Sequence, residues 1–176
     1  GKVVFMGNMV LSKGIAEALS GFEAYHKLNP ISSLTFYGEG VDRLWLQNQI
    51  KDRGLSRVVF APGAVMGEEK FHSLASAEVF LFPSYTEGMP NAVLEALAAK
   101  CHVIATPVGA LGEFARLGRI VSIPVGCKEA VTIALTHVFS GVRVPDTEES
   151  SAFVMLNFSL KTTLIYFLRE IRECLR

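Results

Sequence analysis

A chain of 176 residues, half of them hydrophobic and 19% charged, has the size and composition of one globular domain. At that length it can bury roughly 70% of its unfolded surface without disulfide staples. Its 17 Lys+Arg balance 17 Asp+Glu and are scattered along the chain, so no basic face is on offer to a nucleic-acid backbone, and nucleic acid is excluded as a partner.

The first residues, Gly1-Lys2-Val3-Val4-Phe5, read as a core strand. No charged-then-apolar signal segment precedes them, which leaves a cytoplasmic protein or one whose front end has been removed. Short β-branched or aromatic runs then recur at Val3 to Met6, Leu34 to Tyr37, Val58 to Phe60, Val79 to Phe82, His102 to Ala105 and Ile120 to Ile123. After the first run, Ile15, Leu19, Phe22 and Tyr25 or His26 share one face of a 3.6-residue repeat, and Asn29-Pro30 stops that helix. A second helix is expected from about Val41 to Arg53, ended by Gly54. Nearly all-apolar strands alternating with helices predict an α/β fold: a Rossmann-like, doubly wound parallel sheet of about six strands over residues 1–139. Residues 140–151, with Pro145, Asp146, Glu148 and Glu149, read as a linker, and a helical segment over 152–176 follows, with an amphipathic helix from about Ser159 to Leu175. The apolar stretch 151–168 is interrupted by Asn157, Ser159 and Lys161, so it reads as a buried or interfacial helix, not a membrane span.

Cys101, Cys127 and Cys174 lack CxxC spacing and read as buried small hydrophobes. His26, His72, His102 and His137 show no HxxxH or HExxH spacing, so no metal site is expected.

Ligands of doubly wound sheets lie at the carboxyl ends of the strands. Five loops belong there: Gly7 to Gly14, Gly38-Glu39-Gly40, Pro62 to Gly67, Pro83 to Asn91 and Thr106 to Gly112. All are rich in glycine, proline or small polar residues, as a closely approached ligand requires, although turns alone produce the same composition. The first, GNMVLSKG, is neither a GxxxxGK[ST] phosphate loop nor a GxGxxG fingerprint. It sets Lys13 at a helix N-terminus, where the dipole disfavours a cation. A diphosphate held there by Lys13 and the free amides would resolve the conflict; so would a side chain extended into water.

The fourth loop is more specific. Ser84 and Glu87 have capping-box spacing, yet a helix begun there would meet Gly88 and then Pro90 in its interior, where proline costs about 3 kcal/mol. The helix is expected to start with Pro90 as its first residue and Met89 as N-cap. Methionine offers no oxygen to the following amides, which stay open for a ligand. Glu87 then lies just ahead of the helix and Glu95 about 7 to 8 Å along it, a spacing that suits a polyhydroxylated anion. Each carboxylate alone has a plainer explanation, Glu87 in the helix dipole and Glu95 on a solvated face. A glycosidase would need a second wall opposite the pair, and Ser12, Ser84 and Ser122 lack a GxSxG elbow.

The segment FPSYTEGMPNAVLEALAAKCHVIATPVGALGE resembles the signature of the C-terminal, donor-binding domain of retaining GT-B glycosyltransferases, family four (glycosyl transferases group 1). The resemblance covers residues 2 to about 139, including GNMVLSKG, YGEG, VVFAPGAV and PVGCKEA, and makes the chain one half of a GT-B fold. It implies transfer of a sugar, hexosyl in type, from a nucleotide-diphosphate sugar to a glycan or lipid-linked acceptor. The transfer would be metal-independent, with retention at the anomeric carbon. On the family's frequencies a UDP-sugar is favoured over a GDP-sugar, with no other cofactor.

By the same resemblance Lys13 binds the diphosphate in the Gly7-Asn8 loop, and Glu87 meets the sugar. Glu95 meets the ribose, the amides of Gly88, Met89, Pro90 and Asn91 face sugar or phosphate, and Gly63, Ala64 and Val65 line the base. Proline has no amide hydrogen, so Pro90 enters this set by position only. Three departures stand out: Asn8 where the family has an arginine clamp, Cys127 where many relatives have an acidic cap, and one domain where the family has two. The implied protein is therefore an excised or isolated donor domain, slow or inactive alone. It would be cytoplasmic, peripheral at the inner face of the membrane in full-length form, and engaged in polysaccharide synthesis. Segment 152–176 would pack on a missing N-terminal domain and expose Leu164, Ile165, Phe167, Leu168 and Ile171 to self-association. A catalytically inactive scaffold that binds nucleotide sugars is the alternative, and half of a sugar-nucleotide epimerase a more distant one.

Overall fold

The computed structural model describes residues 1–142 and 144–159. Six strands, β1 (Lys2–Met6), β2 (Ser33–Tyr37), β3 (Val59–Gly63), β4 (Val79–Phe82), β5 (His102–Ala105) and β6 (Val121–Ser122), form one sheet. Every pair is parallel and the order is β3-β2-β1-β4-β5-β6. The chain winds outward from β1 in one direction and then from β4 in the other. The switch point between β1 and β4 is thus fixed by topology, and it is where such sheets open a crevice.

Both central strands are apolar because both sheet faces are covered. Val3, Val4, Phe5 and all of β4 are buried, although successive side chains point to opposite faces. The Phe5 ring lies 5.3 Å from Phe36 and 5.7 Å from Phe82, centroid to centroid, so an aromatic row joins β2, β1 and β4 under the site. The edge strands differ. β3 alternates buried and exposed residues and carries Pro62, which an edge tolerates because a missing N–H there breaks no inner ladder.

The helices are α1 (Ile15–Leu28), α2 (Arg43–Asp52), α3 (Gly67–Ala75), α4 (Asn91–Ala98), α5 (Leu111–Arg116), α6 (Lys128–Phe139) and α7 (Thr147–Phe158). α1 buries Ile15, Leu19, Phe22 and Tyr25 and ends at Asn29, as its periodicity predicts. It packs on α6, where the Thr132 hydroxyl donates to the Gly21 carbonyl at 3.0 Å.

Two sequence expectations are corrected. α4 starts one residue late: Pro90 is its N-cap, extended at ψ 109, and its carbonyl accepts from Val93 N–H at 3.0 Å. The stretch read as a linker over 140–151 contains the start of α7, because Asp146 accepts from the Glu149 amide at 2.9 Å and the acidic first turn suits the helix dipole. α7 packs on α4 and on Phe114 of α5, with Phe153 and Phe158 at 5.7 and 5.6 Å from that ring and Arg119 over Phe153. The described start of the C-terminal segment therefore covers this domain. The helix expected from Ser159 to Leu175, its apolar residues Leu164, Ile165, Phe167, Leu168 and Ile171, and Cys174 lie outside the described residues, apart from Ser159 itself. Among the described residues no helix is long and apolar enough to cross a membrane.

Candidate functional site

The loop after β1 is held by its neighbours on both sides. Gly7 N–H donates to Tyr37 O at 3.0 Å, and Met9 N–H to Glu39 O at 2.9 Å while the Met9 side chain anchors in the core. A 3-10 turn over Leu11–Lys13 follows, its first amide bound by Asp42 Oδ2 at 2.8 Å. Gly14 then adopts φ +74 and starts α1. A Cβ on Gly14 would strike the Pro83 carbonyl, so glycine lets the β1 and β4 loops touch. Tyr85 N–H donates to Ser12 O at 2.9 Å across the same seam.

This seam brings Lys13 and Glu87 together. Lys13 Nζ is 2.6 Å from Glu87 Oε1 and 3.4 Å from the Thr86 carbonyl, with the Glu87 side chain 8% exposed and Lys13 23%. The dipole conflict at Lys13 is thus relieved by the protein's own carboxylate, and Lys13 is not a lysine extended into water. Ser84, buried, spends its hydroxyl on the carbonyls of Ser12 and Thr86 and caps no helix. On the outer flank the Tyr85 hydroxyl donates to Glu17 Oε1 at 2.8 Å, a bond that holds the phenol pKa above its ordinary value.

α4 begins without a side-chain cap. Among the described residues, the amides of Gly88, Met89, Asn91 and Ala92 have no backbone or side-chain acceptor. They form a cluster of donors with the positive end of the helix behind them. One turn into α4, Glu95 meets Lys70 of α3, whose Nζ lies 2.6 Å from the carboxylate.

These parts surround a cleft of about 410 Å³. Of the residues singled out in the sequence, Gly7, Asn8, Ala64, Val65, Asn91 and Glu95 line it. Gly63 does not: it is buried behind Ala64, and its carbonyl accepts from Gly38 N–H at 2.9 Å. Lys13 and Glu87 pair with each other and do not line it, nor do Gly88, Met89 and Pro90, which lead from Glu87 into Asn91. Sequence reasoning missed Lys70 and Glu39, both of which line the cleft, and Arg43, which braces Glu39 at 3.4 Å and donates to the Ala61 carbonyl at 3.2 Å. The signal for Lys70 was its place one turn into the helix that leaves the third carboxyl-end loop. Among the described residues no group of three or more His, Cys, Asp or Glu is placed to hold a metal ion. What the cleft offers is amide donors and the Lys70 ammonium for an anion, and the carboxylates of Glu39 and Glu95 as acceptors for hydroxyls.

A family model described as Glycosyl transferases group 1 matches residues 1–140. Over 110 residues the chain is 36% identical to TuaC of Bacillus subtilis, named as a teichuronic acid biosynthesis glycosyltransferase, a match that covers 62% of this chain and 25% of TuaC. The chain spans about a quarter of the length of the curated relatives it matches. Among solved structures, the pneumococcal O-GlcNAc transferase GtfA, in complex with UDP and GlcNAc, is 18% identical and superposes with a TM-score of 0.83, over 99% of this chain and 36% of GtfA. The C-terminal domain of the group 1 glycosyl transferase LpcC from Francisella tularensis is 21% identical with a TM-score of 0.78, over 90% of this chain and 86% of that domain. Likeness at that identity speaks for the fold, and the parallel sheet with flanking helices is that of GT-B Rossmann-like domains. With four fifths of its length matched by the family model, the chain belongs to the Glycosyl transferases group 1 family.

Proposed function

We propose that this domain binds the nucleotide-diphosphate sugar of a retaining, metal-independent glycosyltransferase, hexosyl in type. The observation that carries the reading is the uncapped start of α4: Asn91 and Ala92, whose amides have no acceptor among the described residues, line a cleft together with Glu95 and Lys70, and the loop that leads into them carries the Lys13–Glu87 pair. In this reading Lys13 turns from Glu87 to the diphosphate, and Glu87 is left free to accept from sugar hydroxyls. Lys13 and the α4 amides then supply preorganised positive potential to the leaving nucleotide. Glu95 accepts from the ribose hydroxyls, and the backbone of Gly63 to Val65 borders the base. The fold relative GtfA holds UDP, and this favours a UDP-sugar over a GDP-sugar. No further cofactor enters the reaction.

The acceptor, a glycan or a lipid-linked sugar in polysaccharide synthesis, would be held by an N-terminal domain outside this chain. The complete enzyme would work in the cytoplasm, peripheral at the inner face of the membrane. Neutral Asn8 lines the cleft and favours a second reading, a domain that binds nucleotide sugars without turnover. Fusing the domain to the N-terminal half of a relative and assaying sugar release separates the two. Activity that Lys13→Ala abolishes supports the enzyme, whereas nucleotide binding without release supports the second reading. Self-association through the C-terminal segment belongs to the same proposal: light scattering at high concentration is expected to show dimers or larger species, and a clean monomer would exclude it.

A further inference from the structure

The charges around the cleft do not match a diphosphate as they stand. Among the described residues that line it, Glu39 and Glu95 are anions and Lys70 is the cation, while Asn8 and Asn91 are neutral. Lys13 does not line the cleft and is engaged by Glu87, and the Arg43 guanidinium is turned to Glu39 and the Ala61 carbonyl. Amides at a helix start supply only partial charge. A nucleoside diphosphate brings at least two full negative charges, so a mobile cation within the lining has a clear role.

The Lys70 ammonium lies 2.6 Å from Oε1 and from Oε2 of Glu95, with the hydrogen bond directed at Oε1. Oε2 is itself buried and, among the described residues, has that ammonium as its contact and no other donor. With Oε1 taken by the ammonium and Oε2 buried beside it, a ligand hydroxyl reaches this carboxylate by displacing the ammonium. Lysine is suited to this, with a point charge and three donors on a flexible four-carbon stem. An ammonium removed from one carboxylate inside a cleft needs another anion, because leaving it unpaired there is costly.

We propose that Lys70 is the second cation of the nucleotide site, released from Glu95 by the ribose and taken up by a phosphate oxygen of the same ligand. The inference rests on the reading of the cleft as a nucleoside-diphosphate site. No covalent bond changes: hydroxyl donors replace Nζ on Glu95, and Nζ gains a phosphate. A nucleoside alone would expel Lys70 without offering it a new partner, and a diphosphate alone could not open the pair. Ribose and phosphate therefore reinforce each other.

The test is titration of the full chain with uridine, UMP and UDP, by calorimetry for UDP and ligand-observed NMR for weak binding, on wild type, Lys70→Met and Lys70→Arg. If GDP rather than UDP binds wild type, guanosine, GMP and GDP replace them. Lys70→Met is expected to weaken diphosphate binding roughly tenfold or more while nucleoside binding holds or improves. Lys70→Arg is expected to keep most of the diphosphate affinity. Lys70→Gln serves if the methionine variant does not fold. Equal losses for nucleoside and diphosphate, or no loss, would overturn the role of Lys70 and leave the donor site standing. A folded wild type that binds neither UDP nor GDP would overturn both.

Discussion

Lys13 closes the 3-10 turn and stands just ahead of Gly14, the N-cap of α1, where a cation opposes that helix's dipole by about 0.3 to 1 kcal/mol. Glu87, 74 positions away, offsets this at 2.6 Å. Since Glu87 is almost fully buried, losing its partner leaves a desolvated carboxylate. Lys13→Ala is therefore expected to cost about 1 to 3 kcal/mol in urea unfolding. The Lys13→Ala, Glu87→Gln double variant should lose less than the sum of the singles, and additive losses would contradict the pairing. A different residue sets a pH response. Burial is the main cause that lowers the His102 pKa from its ordinary 6.5, against the weaker pull of Asp146 and Glu78, and Nδ1 is buried with no hydrogen-bond partner among the described residues. The folded state thus prefers neutral His102, and protons favour the unfolded chain. The contribution is full above about pH 6.5 and is lost as pH falls towards and through the lowered native value. Unfolding of wild type should therefore lose stability relative to His102→Gln below pH 6.5, and parallel curves would refute it.

At the level of elements, six strands and the first helix were legible because apolar runs and a 3.6-residue face leave few alternatives. The start of α4 was legible to within one residue: proline fits both the first helical position and the N-cap, and only its extended ψ decides. The start of α7 was hidden, since an acidic stretch after a proline reads as a linker unless Asp146 is recognised as a cap. Gly14 is where element packing and site meet. Its φ of +74 and its approach to the Pro83 carbonyl leave no room for a side chain. Gly14→Ala should cost about 2 kcal/mol or more by thermal or urea unfolding and should also displace Lys13 from Glu87. A fully stable Gly14→Ala would show that the β1 and β4 loops do not pack as described.

At the scale of the molecule, nothing local in the sequence reports the sheet order, which makes neighbours of the β1 and β4 loops and creates the crevice. Glu87 and Glu95 stood out in the sequence by their spacing around an expected uncapped helix start; Glu95 lines the cleft and Glu87 pairs with Lys13. Lys70 had a weaker signal, its place just after the third carboxyl-end loop, because its pairing with Glu95 comes from the meeting of α3 and α4. The central claim is that this crevice binds a nucleoside diphosphate. Calorimetric titration with UDP and GDP tests it, on wild type beside Lys13→Ala and Glu95→Ala. The account predicts binding of one nucleotide, UDP ahead of GDP, weakened by each substitution roughly tenfold or more in variants that remain folded. A folded wild type that takes up neither nucleotide, or binding that both substitutions leave intact, would contradict it.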